Sequence, residues 1–84
     1  MRAYEILIFC RTKDGNPLHY SDFSRLMDSR FYDDEIDTVK AHVKEKCEYL
    51  IKNDPSCHTA KAKLYEVLDN GDKVFLETFV DLSK

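Results

Sequence analysis

The stretch "DDEIDTVKAHVKEKCEYLIKN", Asp33–Asn53, decides how this chain folds. Its apolar residues recur at intervals of three or four positions, which is the spacing that places side chains on one side of an α-helix. The periodicity therefore predicts one long amphipathic helix. Its apolar stripe consists of Ile36, Val39, Val43, Cys47 and Leu50.

The charges and the flanking residues predict where this helix begins and ends. Acidic residues crowd its start and lysines follow in its later turns, an arrangement that complements the helix dipole. Asp33 or Asp34 is the expected N-cap. The stretch "NDP", Asn53–Pro55, is expected to end the helix, because the residue before a proline disfavours helical backbone angles.

The stretch "YEILIFCRT", Tyr4–Thr12, predicts the first strand. Its apolar residues fall on both sides of a strand, as is typical of a strand that is covered on both faces or central in its sheet. Asp14-Gly15 suits a tight turn. Pro17 cannot donate a backbone hydrogen bond, so a returning edge strand is expected to start after it, at "LHYS".

Asn70-Gly71 predicts a β-hairpin in the last third of the chain, between "AKLYEVL" and "KVFLETFVDL". A two-residue turn at this position would pair Val67 with Val74. It would also place Phe75 on the same face as Leu64. Tyr65 would pair with Leu76, and Phe79 and Ala62 would share the face of Phe75 and Leu64.

Two segments allow more than one interpretation. Residues 59–68 also fit a helical stripe, although the strong strand formers after the turn favour the hairpin. The segment "SDFSRLMDSRFYDD" could form a short helix capped by Ser21 and ended by Asp28-Ser29, or an extended loop. Irregular structure with one helical turn is the interpretation we favour for it.

These elements predict an α+β fold in the order β-β-α-β-β. An antiparallel sheet of three or four strands would carry the long helix on one face. The 84 residues are enough for a single domain, 1–84, with a thin core. Ten Phe and Tyr residues, 12% of the chain, argue against disorder.

Composition also bears on where the protein works. The longest apolar run, Ile6–Phe9, is too short to cross a bilayer, and the N-terminal segment lacks the features of a secretory signal. Three cysteines at irregular spacing do not form a disulfide framework. These features predict a cytoplasmic protein.

The cysteines and histidines give little support for a metal site or for a catalytic function. The spacing Cys47-x₉-Cys57-His58 lacks the close ligand pairs of a structural zinc site, and we expect no metal and no cofactor. Cys10 and Cys47 are expected to be buried, and Cys57 to be an exposed loop thiol. An enzyme that uses Cys57 with a histidine is the least favoured hypothesis, and we predict no catalytic residues.

The segment His19–Asp34 is the first candidate binding surface, because aromatic residues, Met and Arg are enriched at the centres of protein interfaces. The alternative is that its aromatic residues cover the sheet. The leading hypothesis is a small non-catalytic regulator, inhibitor or adaptor that binds another protein, a profile shared by proteins of phages and mobile elements. The expected contact residues are Tyr20, Arg25, Met27, Arg30, Phe31 and Tyr32.

Two further hypotheses concern nucleic acid and self-association. A sheet with exposed aromatic residues and flanking lysines would resemble an RNA-stacking platform, which makes weak nucleic-acid binding the alternative function. The net charge of −3 weighs against it. A terminal strand such as Val74–Leu82, if it lies at a sheet edge, could pair with a second copy. The lysines of the nucleic-acid hypothesis are Lys40, Lys44, Lys52, Lys61, Lys63 and Lys73.

Overall fold

The structure, a computed structural model, describes residues 2–84 and shows an α+β fold with one antiparallel sheet and two helices. The long helix lies on one face of the sheet, as the sequence predicts. In chain order the elements are β1 (Ala3–Arg11), β2 (Pro17–Leu18), α1 (Ser21–Met27), β3 (Phe31–Tyr32), α2 (Ile36–Asn53), β4 (Thr59–Val67) and β5 (Lys73–Ser83).

The sheet is built around β1, and its strand order is β2-β1-β4-β5. β4 pairs with β1 along its whole length, from Ala3 to Arg11. The two-residue strands β2 and β3 both pair with the other side of β1, one near each end. The described residues therefore form five strands rather than the expected three or four.

The core lies between one face of this sheet and the helices. Ile6 and Ile8 of β1 are buried on that face, where they meet Val43 and Cys47 of α2 and Phe23 of α1. The alternate residues of β1 point to the opposite face, which neither helix covers. β1 is therefore central in the sheet, as expected, but it is covered on one side only.

The segment between β2 and β3 contains the short helix that was the alternative interpretation, and it ends before Asp28 as that alternative expected. The favoured interpretation, irregular structure with one helical turn, is wrong. α1 runs beside β1 in the gap between the two short strands. The backbone N–H of Ile8 lies 3.3 Å from Met27 Sδ, which accepts its hydrogen bond. Phe23 anchors the helix in the core. The helix forms because this tertiary site buries its apolar residues, and no side chain caps its N-terminus.

The start of α2 differs from the sequence-based expectation. The helix begins at Ile36 after Glu35, and neither Asp33 nor Asp34 caps it. Asp33 instead accepts hydrogen bonds from the hydroxyl of Tyr4, at 2.8 Å, and from the backbone of Arg2, at 3.2 Å. The carboxylate therefore ties the loop before α2 to the first strand. The helix ends at Asn53, as predicted.

The hairpin between β4 and β5 has a three-residue turn rather than the expected two-residue turn. The N–H of Leu68 donates to Asp72 O, at 2.8 Å, and Gly71 N–H donates to Leu68 O, at 2.9 Å. Gly71 has a φ of +89°, the positive value that the last position of such a turn requires. Asn70 caps the turn by accepting the N–H of Asp72.

The longer turn shifts the pairing by one residue and reverses the expected faces. Val67 pairs with Lys73, and Tyr65 pairs with Phe75. A shift of one residue moves a side chain to the other side of a strand, so Phe75 faces away from Leu64. Two register shifts later in the pair leave Leu76 and Phe79 without direct partners. The two shifts cancel in orientation, so Val80 lies opposite Ala62 and faces the core.

Substitution of neighbouring residues in β1 will test the one-sided core. Ile6 is fully buried, so Ile6→Ala is expected to lower the free energy of unfolding by about 2–5 kcal/mol. The matched control Leu7→Ala removes a half-buried side chain from the uncovered face and should cost markedly less. Urea unfolding followed by circular dichroism measures both. Equal losses would show that both faces of β1 are covered.

Candidate functional site

The uncovered side of the sheet, called the open face below, is the broadest candidate site. β1, β4 and β5 present alternate side chains on it, and cross-strand pairing places those side chains next to one another. The helices lie on the opposite side. The open face is defined by Glu5, Leu7, Phe9, Arg11, Lys61, Lys63, Tyr65, Lys73, Phe75 and Asp81.

Three aromatic side chains lie on the open face, one on each of three adjacent strands. The rings of Tyr65 and Phe75 meet edge to face, with centroids 5.6 Å apart. Phe75 keeps 52% of its surface exposed, and Phe9 keeps 38%. Lys63 Nζ lies 5.7 Å from the centre of the Phe9 ring. Aromatic rings that remain this accessible can stack against a flat ligand.

Cations outnumber carboxylates on the open face. It carries four cations, and its only carboxylates are those of Glu5 and Asp81, so its formal charge is +2, whereas the whole chain carries −3. Asp81 lies 3.9 Å from Lys61 in an exposed pair, which contributes little attraction in water. The fold therefore collects positive charge on the face that also exposes the aromatic rings. The cations are Arg11, Lys61, Lys63 and Lys73.

Glu5 lies beside the aromatic pair, and its carboxylate is largely shielded from water. It is the direct cross-strand partner of Tyr65. Its side chain is 18% exposed, and its Oε2 lies 2.6 Å from Lys73 Nζ. Arg30 approaches the other oxygen, Oε1, from the loop after α1, at 3.7 Å. This distance is too long for a hydrogen bond, so Oε1 keeps acceptor capacity.

The six residues that were predicted to contact another protein fall into two groups. Tyr20, Met27 and Phe31 are partly buried against the core, so they hold the segment in place. Tyr20 also donates a hydrogen bond to Asp54 Oδ2, at 2.7 Å. The exposed members are Arg25, Arg30 and Tyr32.

The predicted set of lysines also divides, because the two halves lie on opposite sides of the sheet. Lys40, Lys44 and Lys52 lie on α2, and Lys40 forms a 2.6 Å ion pair with Glu77. The remaining three lie on the open face. A single ligand could therefore not contact the whole set. The open-face members are Lys61, Lys63 and Lys73.

The aromatic residues of the open face were not among the predicted site residues. The alternation in "YEILIFCRT" carried a usable signal, since it separates Phe9 from the buried Ile6 and Ile8. Tyr65 and Phe75 gave no such signal, because the two-residue turn expected from Asn70-Gly71 placed Phe75 with the core residues. Only the observed register shows that these two rings meet.

Cys57 is fully buried, so the expectation of an exposed loop thiol is wrong. Its Sγ lies 3.6 Å from the carbonyl oxygen of Thr59, in hydrogen-bonding contact. Burial, with a contribution from nearby Cys57, raises the pKa of both Cys10 and Cys47 to about 12. Thiols this hard to ionise are poor nucleophiles at neutral pH, and these two are best explained as core residues.

A groove of about 410 Å³ between α1 and α2 is the second candidate site. Phe23 and Leu50 line it, and the 2.5 Å ion pair of Asp22 and Lys46 lies at its rim. Within residues 2–84, no buried side-chain nitrogen or oxygen is left unpaired to orient a ligand there. Among the described residues the groove therefore has no buried polar group left to orient a ligand, and its polar lining residues His42 and Glu45 are exposed.

β5 forms an edge of the sheet, as the self-association hypothesis requires. The extra residues Leu76 and Phe79 interrupt its regular pairing with β4. Bulges of this kind hinder edge-to-edge pairing. β5 is therefore better suited to binding through its side chains on the open face than to pairing with a second copy through its edge.

Comparison of the chain with protein-family models, curated proteins and solved structures found no significant match. Across the described residues, no helix combines the length and apolar character needed to cross a membrane. Residues 2–84 contain no group of three or more His, Cys, Asp or Glu arranged to hold a metal ion.

The hydrogen bond between Tyr20 and Asp54 gives a pH-dependent prediction. This bond, helped by the N–H of Ser56, lowers the pKa of Asp54. A carboxyl group with a lowered pKa stabilises the fold above its unfolded pKa of about 3.9, and that stability is lost as the pH falls through the folded value. Tyr20→Phe should therefore reduce the urea midpoint at pH 7, and the difference from the natural protein should narrow below about pH 4. If the difference in urea midpoint stayed constant from pH 7 to the acid range, it would contradict a stabilising bond between Tyr20 and the ionised Asp54.

Proposed function

We propose that this protein is a non-catalytic module that binds single-stranded nucleic acid on its open face. The observation that carries the proposal is the placement of Phe9, Tyr65 and Phe75 on three adjacent strands, beside lysines, on a sheet face that no helix covers. Aromatic platforms flanked by cations are the recurring means by which proteins hold single strands.

The exposed rings supply the contacts to the bases. Each base has a flat face, and stacking on an aromatic side chain is worth about 1–3 kcal/mol per base. Phe75 is the most exposed of the three rings and already meets Tyr65 at its edge, which fixes its orientation. Tyr65 and Phe75 are direct cross-strand partners and together form one stacking position. Phe9 lies opposite Lys61, four residues along β1 from Glu5, the partner of Tyr65, so it offers a second position about 13 Å away.

The open-face lysines supply the contacts to the phosphates. Lys61 is half exposed and has only a long ion pair to Asp81. Lys63 Nζ lies over the Phe9 ring, and a base that stacks there would displace it toward the adjoining phosphate. Because the chain as a whole is acidic, we expect moderate affinity that depends strongly on salt.

Single strands fit this face better than a duplex. In a duplex the flat faces of the bases are stacked on one another and cannot reach the rings. Duplex binding would depend on phosphate contacts alone, and Glu5 and Asp81 oppose them on this surface. The proposal therefore requires preference for single strands.

Fluorescence anisotropy with a labelled oligothymidylate of about 15 nucleotides will test the proposal. Phe75→Ala should weaken binding by about 5- to 150-fold, the equivalent of one lost stacking contact. The matched control is Tyr49→Ala, which removes an exposed aromatic ring, 65% accessible, from α2 on the other side of the sheet. The control should bind as the natural protein does.

A salt titration in the same assay separates the two lysine groups. Lys63→Ala should reduce the slope of log affinity against log salt by about 0.7, the value for one phosphate contact to a single strand. Lys44→Ala on α2 should leave the slope unchanged. Equal effects of the two substitutions, or binding that salt does not weaken, would contradict the proposal.

The second candidate function is binding of another protein, as a regulator, inhibitor or adaptor, through Arg25, Arg30 and Tyr32. The specific support is that these three side chains are exposed while the rest of their segment is anchored in the core. A rigid segment that presents Arg and Tyr has the composition of an interface centre.

Co-purification from a native lysate, with nuclease added, tests this second function. Tyr32→Ala and Arg30→Ala should each lose a stoichiometric, nuclease-resistant partner while the melting temperature stays nearly unchanged. Lys52→Ala serves as the exposed control on α2. A partner that survives Tyr32→Ala and Arg30→Ala, or disappears with nuclease, would rule out this surface.

A further inference from the structure

We infer that Glu5 makes the open face selective for guanine, an inference that rests on the proposed binding of single-stranded nucleic acid. Three features of Glu5 support it. It adjoins the stacking pair through its cross-strand partner Tyr65, it is mostly shielded from water, and one of its oxygens lacks a close donor.

The position of Glu5 places a carboxylate at the edge of a stacked base. Residues paired directly across two strands have Cβ atoms about 5 Å apart, so a base that covers Tyr65 and Phe75 presents an edge to Glu5. Single-stranded bases bound in this way are read along their Watson–Crick edges. Glu5 can therefore distinguish bases by the donors they present.

Guanine matches a carboxylate better than the other bases do. Its Watson–Crick edge presents two adjacent donors, N1–H and N2–H, which can meet the two carboxylate oxygens in parallel. Adenine and cytosine each present one amino donor beside a ring nitrogen that only accepts. Thymine and uracil present one N–H between two carbonyl groups. Only guanine avoids placing an acceptor against Glu5.

The cations around Glu5 are compatible with this contact. Lys73 holds Oε2 at 2.6 Å, and its ammonium group has two further protons, one of which can be donated to guanine O6. Arg30 lies 3.7 Å from Oε1, which leaves that oxygen able to accept a hydrogen bond from the base.

The experiment compares labelled oligothymidylates that differ in one central base, which is guanine, inosine, adenine or cytosine. Central guanine should strengthen binding to the natural protein roughly tenfold over adenine or cytosine. Inosine, which lacks the N2 amino group, should fall between them. Glu5→Gln, whose amide retains only one acceptor oxygen, should bind oligothymidylate more tightly and lose the preference for guanine.

Glu48→Gln is the matched control, because it removes an exposed carboxylate from α2 and should keep the preference. The comparison of bases on the natural protein tests the inference even if Glu5→Gln does not fold. Binding of oligothymidylate without a preference for guanine would overturn the role of Glu5 and leave the proposed function standing. A preference that persists in folded Glu5→Gln would also overturn it. No binding of any oligonucleotide would overturn both.

Discussion

The contact between the apolar stripe of α2 and one face of the sheet is the interaction on which the rest of the structure depends. Val43 and Cys47 are fully buried against Ile6 of the central strand. The described residues form one long helix and one short one, and both pack on the same face. Neither helix covers the other face, which is the surface on which we place function.

The side chains of the uncovered face are not simply those of a hydrophobic core that lacks a covering element. Leu7 and the aromatic rings give it apolar contact area, while four cations give it a charge opposite to that of the whole chain. A face that only needed solubility would carry scattered charges of both signs and few exposed rings. Contiguous exposed apolar surface on a small protein commonly marks a binding site. Because positive charge is concentrated on this face beside exposed rings, the ligand we favour is an anion that also has flat apolar groups.

The β4–β5 hairpin shows why part of the candidate site could not be predicted. Asn70-Gly71 correctly indicated a hairpin, but the same two residues fit both a two-residue turn and the last two positions of a three-residue turn. The difference of one residue decides whether Phe75 joins the core or the open face. Sequence periodicity cannot resolve this choice, since the strand has apolar residues on both sides. The site residues predicted from the sequence therefore did not include the aromatic residues of the open face.

The sequence by itself determined the α+β class, the apolar stripe and the end of α2, the first strand and the existence of both hairpins. These features depend on local periodicity, turn residues and proline, which act over a few positions. Tertiary structure alone decided the pairing of β3 with β1, the formation of α1, the burial of Cys57 and the composition of the open face. Each of these depends on contacts between residues distant in the chain. Their energies depend on which side chains meet, and local pattern does not contain that information.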